Sequence, residues 1–301
     1  MNIIIAGGSG LIGQALIQAL TNQGHSIWVL SRNPQQMQAI AGVEWVQWNA
    51  QTTAGWGHLV EQADAILNLA GENIGAGLWT PQRVQRILSS RVNAGKAITQ
   101  AVQQANHKPQ VLIQASAVGF YGNSADAICT EDAPAGSGYL PEVCLQWEAA
   151  TQPVEALGVR RVVLRTGLVL TANEGVLPRL ILPFKLMVGG PLGSGKQYYP
   201  WIHLADEVGA IRFLLENLQA QGVFNLSAPN PLPMAEFGKV LAKVLKRPYW
   251  LPVPGFALRL LLGNMSALVL EGQRAVPQRL LAQGYPFHFP ELQGALQDLL
   301  N

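Results

Sequence analysis

Asn2-Ile3-Ile4-Ile5-Ala6-Gly7-Gly8-Ser9-Gly10-Leu11-Ile12-Gly13 decides the fold of this 301-residue chain. Asn2–Ala6 is a short apolar run that stops at glycines. From Leu11 to Asn22 the apolar residues fall at Leu11, Ile12, Ala15, Leu16, Ala19 and Leu20, the spacing of one helical face. Strand, glycine turn and helix in that order form a site for a dinucleotide pyrophosphate. Gly7 allows the tight turn, Gly10 lets the backbone approach a phosphate, and Gly13 lets helix and strand pack closely. The amides at the helix start, Leu11 and Ile12 among them, supply unpaired donors and the positive end of the helix dipole. Glycines alone are a weak signal in a chain with 31 of them. The strand before and the helix after make this signal specific.

The same rhythm continues outward. Apolar runs at Ser26–Leu30, Val43–Trp48, Ala65–Leu69, Val111–Ala115 and Val162–Leu164 alternate with helical patterns at Gln82–Gln104 and Glu142–Leu157. This alternation predicts a Rossmann-type, doubly wound parallel sheet with helices on both faces. Beyond Arg165 four prolines and four glycines interrupt a long apolar stretch; a helix at Ala205–Leu218 and a strand at Val223–Leu226 then resume the pattern. The expected organisation is a dinucleotide-binding domain over residues 1–226 and a smaller C-terminal lobe over 227–301. Residues 170–200 are expected to contribute to the lobe, and the ligand cleft lies between the two parts.

The end of the second strand selects the cofactor. An NAD site places an acid there, about 20 residues past the glycines, to hold the ribose hydroxyls. Here the residues are Ser31 and Arg32, and no acid occurs between Gly13 and Glu44. Arg32 can pair with a 2′-phosphate and Ser31 can donate to it, so NADP is the expected cofactor. Arg32 could instead be an exposed residue of the turn before Pro34.

Composition excludes other classes. Lys and Arg number 20 and Asp and Glu 18, for a net charge of +2. No basic stripe or charged tail marks a nucleic-acid binder. At 49% hydrophobic residues the chain can bury a large core, yet its best apolar stretches, Leu177–Leu192 and Gly255–Leu270, are interrupted by Arg179, Lys185, Arg259 and prolines. Neither meets the roughly 20 apolar residues of a membrane span. The N-terminus has no basic region before its apolar residues, so no signal peptide is expected. Cys129 and Cys144 cannot build a disulfide framework, and the five histidines, at 25, 58, 107, 203 and 288, lack metal-ligand spacing. The expectation is a cytoplasmic protein with a small-molecule substrate.

Longer motifs carry a resemblance. NLAGENI at Asn68–Ile74, SSR at Ser89–Arg91, SAVGFYG at Ser116–Gly122, LRTGLVL at Leu164–Leu170, GGPLGSG at Gly189–Gly195 and PWIHLAD at Pro200–Asp206 resemble the atypical, NADP-dependent, epimerase-like subfamily of the extended short-chain dehydrogenase/reductases, also labelled cell-division-inhibitor-like. LEGQRAVPQRL at Leu270–Leu280 is similar to its characteristic C-terminal segment. The resemblance implies an oxidoreductase or epimerase-like activity, and further cofactor contacts. Asp64 should lie near the adenine, Leu69, Ala70 and Gly71 beside the ribose and pyrophosphate, and Arg91 at the phosphates. Leu168 and Val169 should border the nicotinamide.

The chain departs from a typical member at the chemistry. The usual Tyr passes a proton while a Lys four residues later lowers its pKa. The residues four positions after the six tyrosines are Ala125, Val143, Ile202, His203, Val253 and Phe289. None is lysine. If Glu148 aligns with the acid that follows the family motif, Leu140 and Cys144 occupy the Tyr and Lys positions, and Ala117 replaces the catalytic hydroxyl. Ser116, at a strand end, is then the first catalytic candidate, with Glu142 and Cys144 behind it. Glu72, Asn73, Tyr121, Trp201 and His203 are candidates for substrate contact. Cys144 and Trp201 equally suit a core, and His203 a structural hydrogen bond. The missing couple also admits a different class: a catalytically silent NADP(H)-binding regulator or scaffold.

Overall fold

In the computed structural model, which describes residues 1–300, the glycine turn follows the central strand of a seven-stranded parallel sheet. The strands of that sheet are β1 (Asn2–Ala6), β2 (Ser26–Ser31), β3 (Val43–Gln47), β4 (Ala65–Asn68), β5 (Val111–Ala117), β7 (Arg160–Thr166) and β11 (Gly222–Leu226). Their order is β11-β7-β5-β4-β1-β2-β3. The order reverses between β1 and β4, which opens a crevice at their carboxyl ends. The pleat explains the burial: Ile3 and Ile5 enter one apolar layer while Ile4 and Ala6 enter the other, because neighbouring side chains leave opposite faces.

Helices α1 (Leu11–Thr21) and α5 (Leu204–Glu216) cover the first face. Helix α2 (Pro81–Gln104) covers the second, with Ala94, Ile98 and Val102 inward, and α3 (Tyr139–Ala149) lies beside it. Thr80 starts α2, its side chain accepting from Arg83 N at 3.3 Å, with Pro81 next; both suit a helix start. The helix expected over Glu142–Leu157 divides. It ends at Ala149 and resumes as a 3-10 turn, Gln152–Leu157, because Pro153 has no N–H to continue the ladder.

A third apolar cluster joins α4 (Leu177–Lys185), α6 (Met234–Leu245) and α10 (Leu292–Leu300) through Ile181, Phe184, Phe237, Leu241 and Leu296. Short pairs surround it: β8 (Leu168–Leu170) with β10 (Trp201–His203), and β9 (Tyr198–Tyr199) with β12 (Leu232–Pro233). After α7 (Gly255–Leu262) and α8 (Ala267–Leu270) the chain returns to the first part. There β13 (Arg274–Ala275) pairs with β6 (Ile128–Cys129), and α9 (Gln278–Ala282) puts Leu280, followed by Tyr285, into the first core. Among the described residues no helix is long and apolar enough to cross a membrane.

Candidate active site

A groove of about 460 Å³ opens at the switch between β1 and β4, lined by Gly7, Ser9 and Gly10, by Ser31, Arg32 and Asn33, and by Leu69 through Asn73. Close approach dictates the glycines. A Cβ on Gly7 would meet the Leu69 carbonyl at 2.6 Å, and one on Gly13 would meet Gly7 O at 2.5 Å. Gly10 precedes α1 with no side-chain cap, and the first turn of α1 carries no acid. The helix therefore presents its orphan amides and dipole end to the groove without a protein anion to satisfy them. Leu11 begins that helix and lies near β8: a Cβ on Gly175 would touch Leu11 Cδ2 at 3.5 Å and Val169 O at 3.6 Å.

At the far end, Ser31 is buried and its hydroxyl accepts from Asn33 N at 3.1 Å. Arg32 is exposed and its guanidinium joins no ion pair among the described residues. The nearest acid in sequence, Glu44, accepts from Trp28 Nε1 at 3.1 Å. Arg91 supplies a second cation. Its guanidinium carbon lies 3.1 Å from where a Gly71 Cβ would stand and 4.7 Å from the Trp147 ring. Arg91 is 9% exposed, donates to Ile87 O at 2.8 Å, and forms no ion pair among the described residues. Burial lowers its pKa, and Glu72 is among the groups that oppose the shift. A buried cation under a glycine-walled groove suits an anion.

Glu72 and Asn73 close the groove. Arg83 reaches Glu72 at 3.3 Å and the Asn73 carbonyl, Arg86 stands 3.8 Å from Glu72, and Ser90 Oγ accepts from Glu72 N at 3.0 Å. Arg83, Arg86 and Ser90 escaped the sequence reading, although their i, i+3, i+7 spacing on α2 places them on the face that carries Arg91 one residue on.

Ser116 is buried and donates to Glu148 Oε1 at 2.6 Å. Arg165 holds the same carboxylate with Nε at 2.9 Å and a second nitrogen at 3.0 Å, and stacks 3.3 Å from the Phe120 centroid. Arg165 also donates to Tyr121 Oη at 3.2 Å, and Tyr121 donates to Asn225 at 2.7 Å. Burial pushes the Tyr121 phenol up to about 12. Cys144 lies under the same strand end, its Sγ 3.6 Å from Ala117 O; burial, then the Glu148 charge, pushes its thiol up to about 11. It is a neutral thiol at physiological pH. A Cβ on Gly119 would touch Leu140 Cβ at 3.5 Å and Cys144 Sγ at 3.9 Å, so these two side chains sit together, as an apolar pair.

The structure brings Gly7, Gly10, Ser31, Arg32, Leu69, Ala70, Gly71, Glu72 and Asn73 to one groove, and Arg91 against its wall. Other candidates fall elsewhere. Asp64 is a correction: its carboxylate accepts from Asn2 N at 2.7 Å, at the amino ends of β1 and β4. The length of β1, about 3.3 Å per residue, separates it from the glycine turn. Glu142 is exposed and accepts from Gln146 at 2.6 Å. Tyr121 belongs to the buried network. Trp201 is fully buried in the third apolar cluster. His203 Nδ1 caps α5, accepting from Ala205 N at 3.0 Å, and burial lowers its pKa. None of these lines the groove. Among the described residues no cluster of His, Cys, Asp or Glu is arranged to hold a metal.

Comparison with known proteins adds the lineage. Residues 3–227 match the model of the NAD dependent epimerase/dehydratase family, and residues 253–299 that of a domain of unknown function, DUF1731. The chain is 42% identical over 301 residues to the epimerase family protein YfhF of Bacillus subtilis, covering all of this chain and 98% of that one. It is also similar to the crystal structure of the human epimerase family protein SDR39U1 (isoform 2) with NADPH, at TM-score 0.86 and 33% identity, covering 99% of both chains. The UDP-glucose 4-epimerase of Thermus thermophilus in complex with NAD shares the fold, at TM-score 0.79 and 16% identity over 99% of this chain and 98% of that one.

Proposed function

We propose, for a chain that belongs to the NAD dependent epimerase/dehydratase family, an NADP(H)-dependent oxidoreductase or epimerase-like activity on a small molecule. The observation that carries this reading is the groove itself: uncapped helix amides at one end, an unpaired Arg32 at the other, and no carboxylate where an NAD site holds its ribose. The human relative crystallised with NADPH supports it. Gly7, Gly10, Leu11, Ile12 and Gly13 would hold the pyrophosphate through backbone amides. Ser31 and Arg32 would hold the 2′-phosphate, Leu69, Ala70 and Gly71 would flank the ribose, and Arg91 would neutralise phosphate from below. Leu168 and Val169 would border the nicotinamide. When bound, the cofactor supplies or accepts a hydride.

The protein's own part in the chemistry is atypical. Leu140 and Cys144 offer neither a phenol nor an ammonium, and the Cys144 thiol stays protonated. The Ser116 hydroxyl donates its hydrogen bond to Glu148, so its oxygen is held in place as an acceptor and orienting group, not as an acid. Glu72, fixed by two arginines, and Asn73 would receive polar groups of the substrate at the open end. Proton transfer then falls to the substrate itself or to water. The domain division at residue 226 and the role of residues 227–301 as a substrate lobe belong to the same proposal; the joint apolar cluster of α4, α6 and α10 supports them.

Calorimetric titration of NADPH and NADH tests the reading. NADPH should bind at least tenfold more tightly, the lower bound for a charge-assisted pair of ~1.5–3 kcal/mol. Equal affinities would remove Arg32 from the site. Oxidation of NADPH in the presence of simple aldehydes, ketones and sugar nucleotides should be far slower than the ~1–10³ per second of ordinary enzymes.

A further inference from the structure

We propose that the face formed by the carboxyl end of α4, residues 246–254 and α7 docks on a bilayer surface rich in anionic lipid. Helix α7 has no buried residue at all. Phe256, Leu260 and Leu261 are 72%, 85% and 70% exposed, and Leu186 and Trp250 are 64% and 62% exposed. The segments that carry them are tied together. Trp250 Nε1 donates to Met187 O at 2.9 Å, Trp250 N and Leu251 N both donate to Gly189 O, and a Cβ on Gly255 would lie 3.8 Å from Gly193 Cα. A water-exposed apolar face of this kind marks an interaction site.

Charge selects the occupant. Residues 175–205 and 237–270 together carry eight Lys and Arg and not one Asp or Glu, whereas the rest of the chain carries 12 Lys and Arg against 18 Asp and Glu. Of the eight, Lys239 is paired, with Glu236 at 2.8 Å. Lys185 and Arg259 adjoin Leu186 and Leu260 in the chain, Arg247, next to Lys246, donates to Met187 Sδ at 3.8 Å, and none of these four cations forms an ion pair among the described residues. An isologous contact with a second copy would set these cations against themselves, since the same patch meets itself. An anionic lipid surface satisfies both features: headgroups take the cations, and the acyl boundary takes the apolar side chains. Arg259 can extend along the apolar surface with its charge in the headgroups, and a Trp suits that interface. This is attachment at the surface, not insertion of a span. It does not depend on the cofactor assignment. Arg179, near the amino end of α4, donates to Gly75 O at 2.7 Å, so the helix whose carboxyl end joins the docked face contacts at its other end the loop that follows Asn73.

The test is flotation of the full chain with vesicles of phosphatidylcholine alone and of phosphatidylcholine mixed with phosphatidylglycerol. Binding is expected only to the mixed vesicles, falling as salt is added. The variant Lys246→Gln/Arg247→Gln/Arg259→Gln should lose on the order of 100-fold in partitioning, about fivefold per cation. The variant Phe256→Ser/Leu260→Ser/Leu261→Ser should lose binding with an unchanged melting temperature, since these side chains are exposed; if it fails to fold, the charge variant still decides. No binding to mixed vesicles overturns the proposal, as does equal binding to neutral ones. A dimer seen by light scattering that the serine variant converts to monomer would show the occupant to be a second copy.

Discussion

Gly10→Val separates cofactor binding from folding. A Cβ on Gly7 or Gly13 would strike backbone at 2.6 or 2.5 Å, and Gly7 also has φ +84°; substitutions there damage the fold itself. Gly10 differs. Its φ is −82° and ψ 171°, extended backbone that valine adopts readily, and an added Cβ meets only Gly7 O, at 3.4 Å. The new side chain therefore stands in the groove that Gly10 lines, where the pyrophosphate is proposed to lie. Without ligand the variant should melt with the parent, within the ~0.5 kcal/mol of an ordinary surface change. With NADPH at 100 times its dissociation constant the parent gains about 2.7 kcal/mol. At roughly 2.1 cal/mol/K of unfolding entropy per residue, that is a rise of roughly 4 °C for a chain of this length. Gly10→Val should lose most of the rise, read by scanning calorimetry with and without NADPH. A variant that keeps the full shift would place the cofactor elsewhere. One that melts well below the parent without ligand would show that Gly10 serves the fold.

Arg32→Asp should weaken NADPH about tenfold to a hundredfold while leaving NADH nearly unchanged, measured by titration calorimetry; equal losses for both cofactors would refute the 2′-phosphate assignment. Leu140→Tyr with Cys144→Lys should raise NADPH-dependent reduction of simple carbonyl compounds above the parent rate, at a cost in stability of roughly 1–3 kcal/mol for overpacking; an unchanged rate would show that the missing couple does not limit turnover. Glu207 is buried with one oxygen on Thr166 at 2.8 Å, and burial pushes its carboxyl up from 4.5 to about 8. The folded state thus holds a proton that the unfolded state releases, so this group's contribution falls as pH rises from about 4.5 to about 8. Glu207→Gln should flatten that slope and be the more stable form by a few kcal/mol at pH 8; identical pH-stability curves by denaturant unfolding would refute it.

The fold was legible because local pattern and topology agree. Four apolar residues, a glycine turn and a 3.6-residue periodicity define β1 and α1 without help from the rest of the chain, and repetition of that unit leaves few topologies. The strand limits shift by only a few residues, most at β5 and β7, which run on to Ala117 and Thr166. The groove was legible for the same reason. Ser31 and Arg32 end a strand, and Leu69–Gly71 follow one, so they reach the carboxyl edge where ligands gather. The same rule, applied to Asp64, would have excluded it: a residue that precedes a strand lies at the amino edge. His203 carried a signal that went unused, since a polar residue followed by Asp206 and Glu207 in the first turn suits a helix cap.

The network behind the groove was not legible, and its reason is physical. Ser116, Tyr121, Glu148, Arg165 and Asn225 lie on five separate elements, up to 109 residues apart, and meet only when β5, β7 and β11 align. Strand register fixes where Ser116 sits, but the partner of its hydroxyl is chosen by α3, which brings Glu148 beneath the strand end. That choice bears directly on mechanism. If Glu148 aligns with the acid that follows the family motif, the Tyr and Lys positions hold Leu140 and Cys144, which sit together near the Glu148–Arg165 ion pair. An ammonium introduced at Cys144 would stand among the charges that act on that thiol, Glu148 first and Arg91 after it, so the double variant has a carboxylate to face. With neither side chain able to carry the proton, the proposed chemistry leaves that transfer to the ligand itself or to water, beside a Ser116 oxygen held by Glu148.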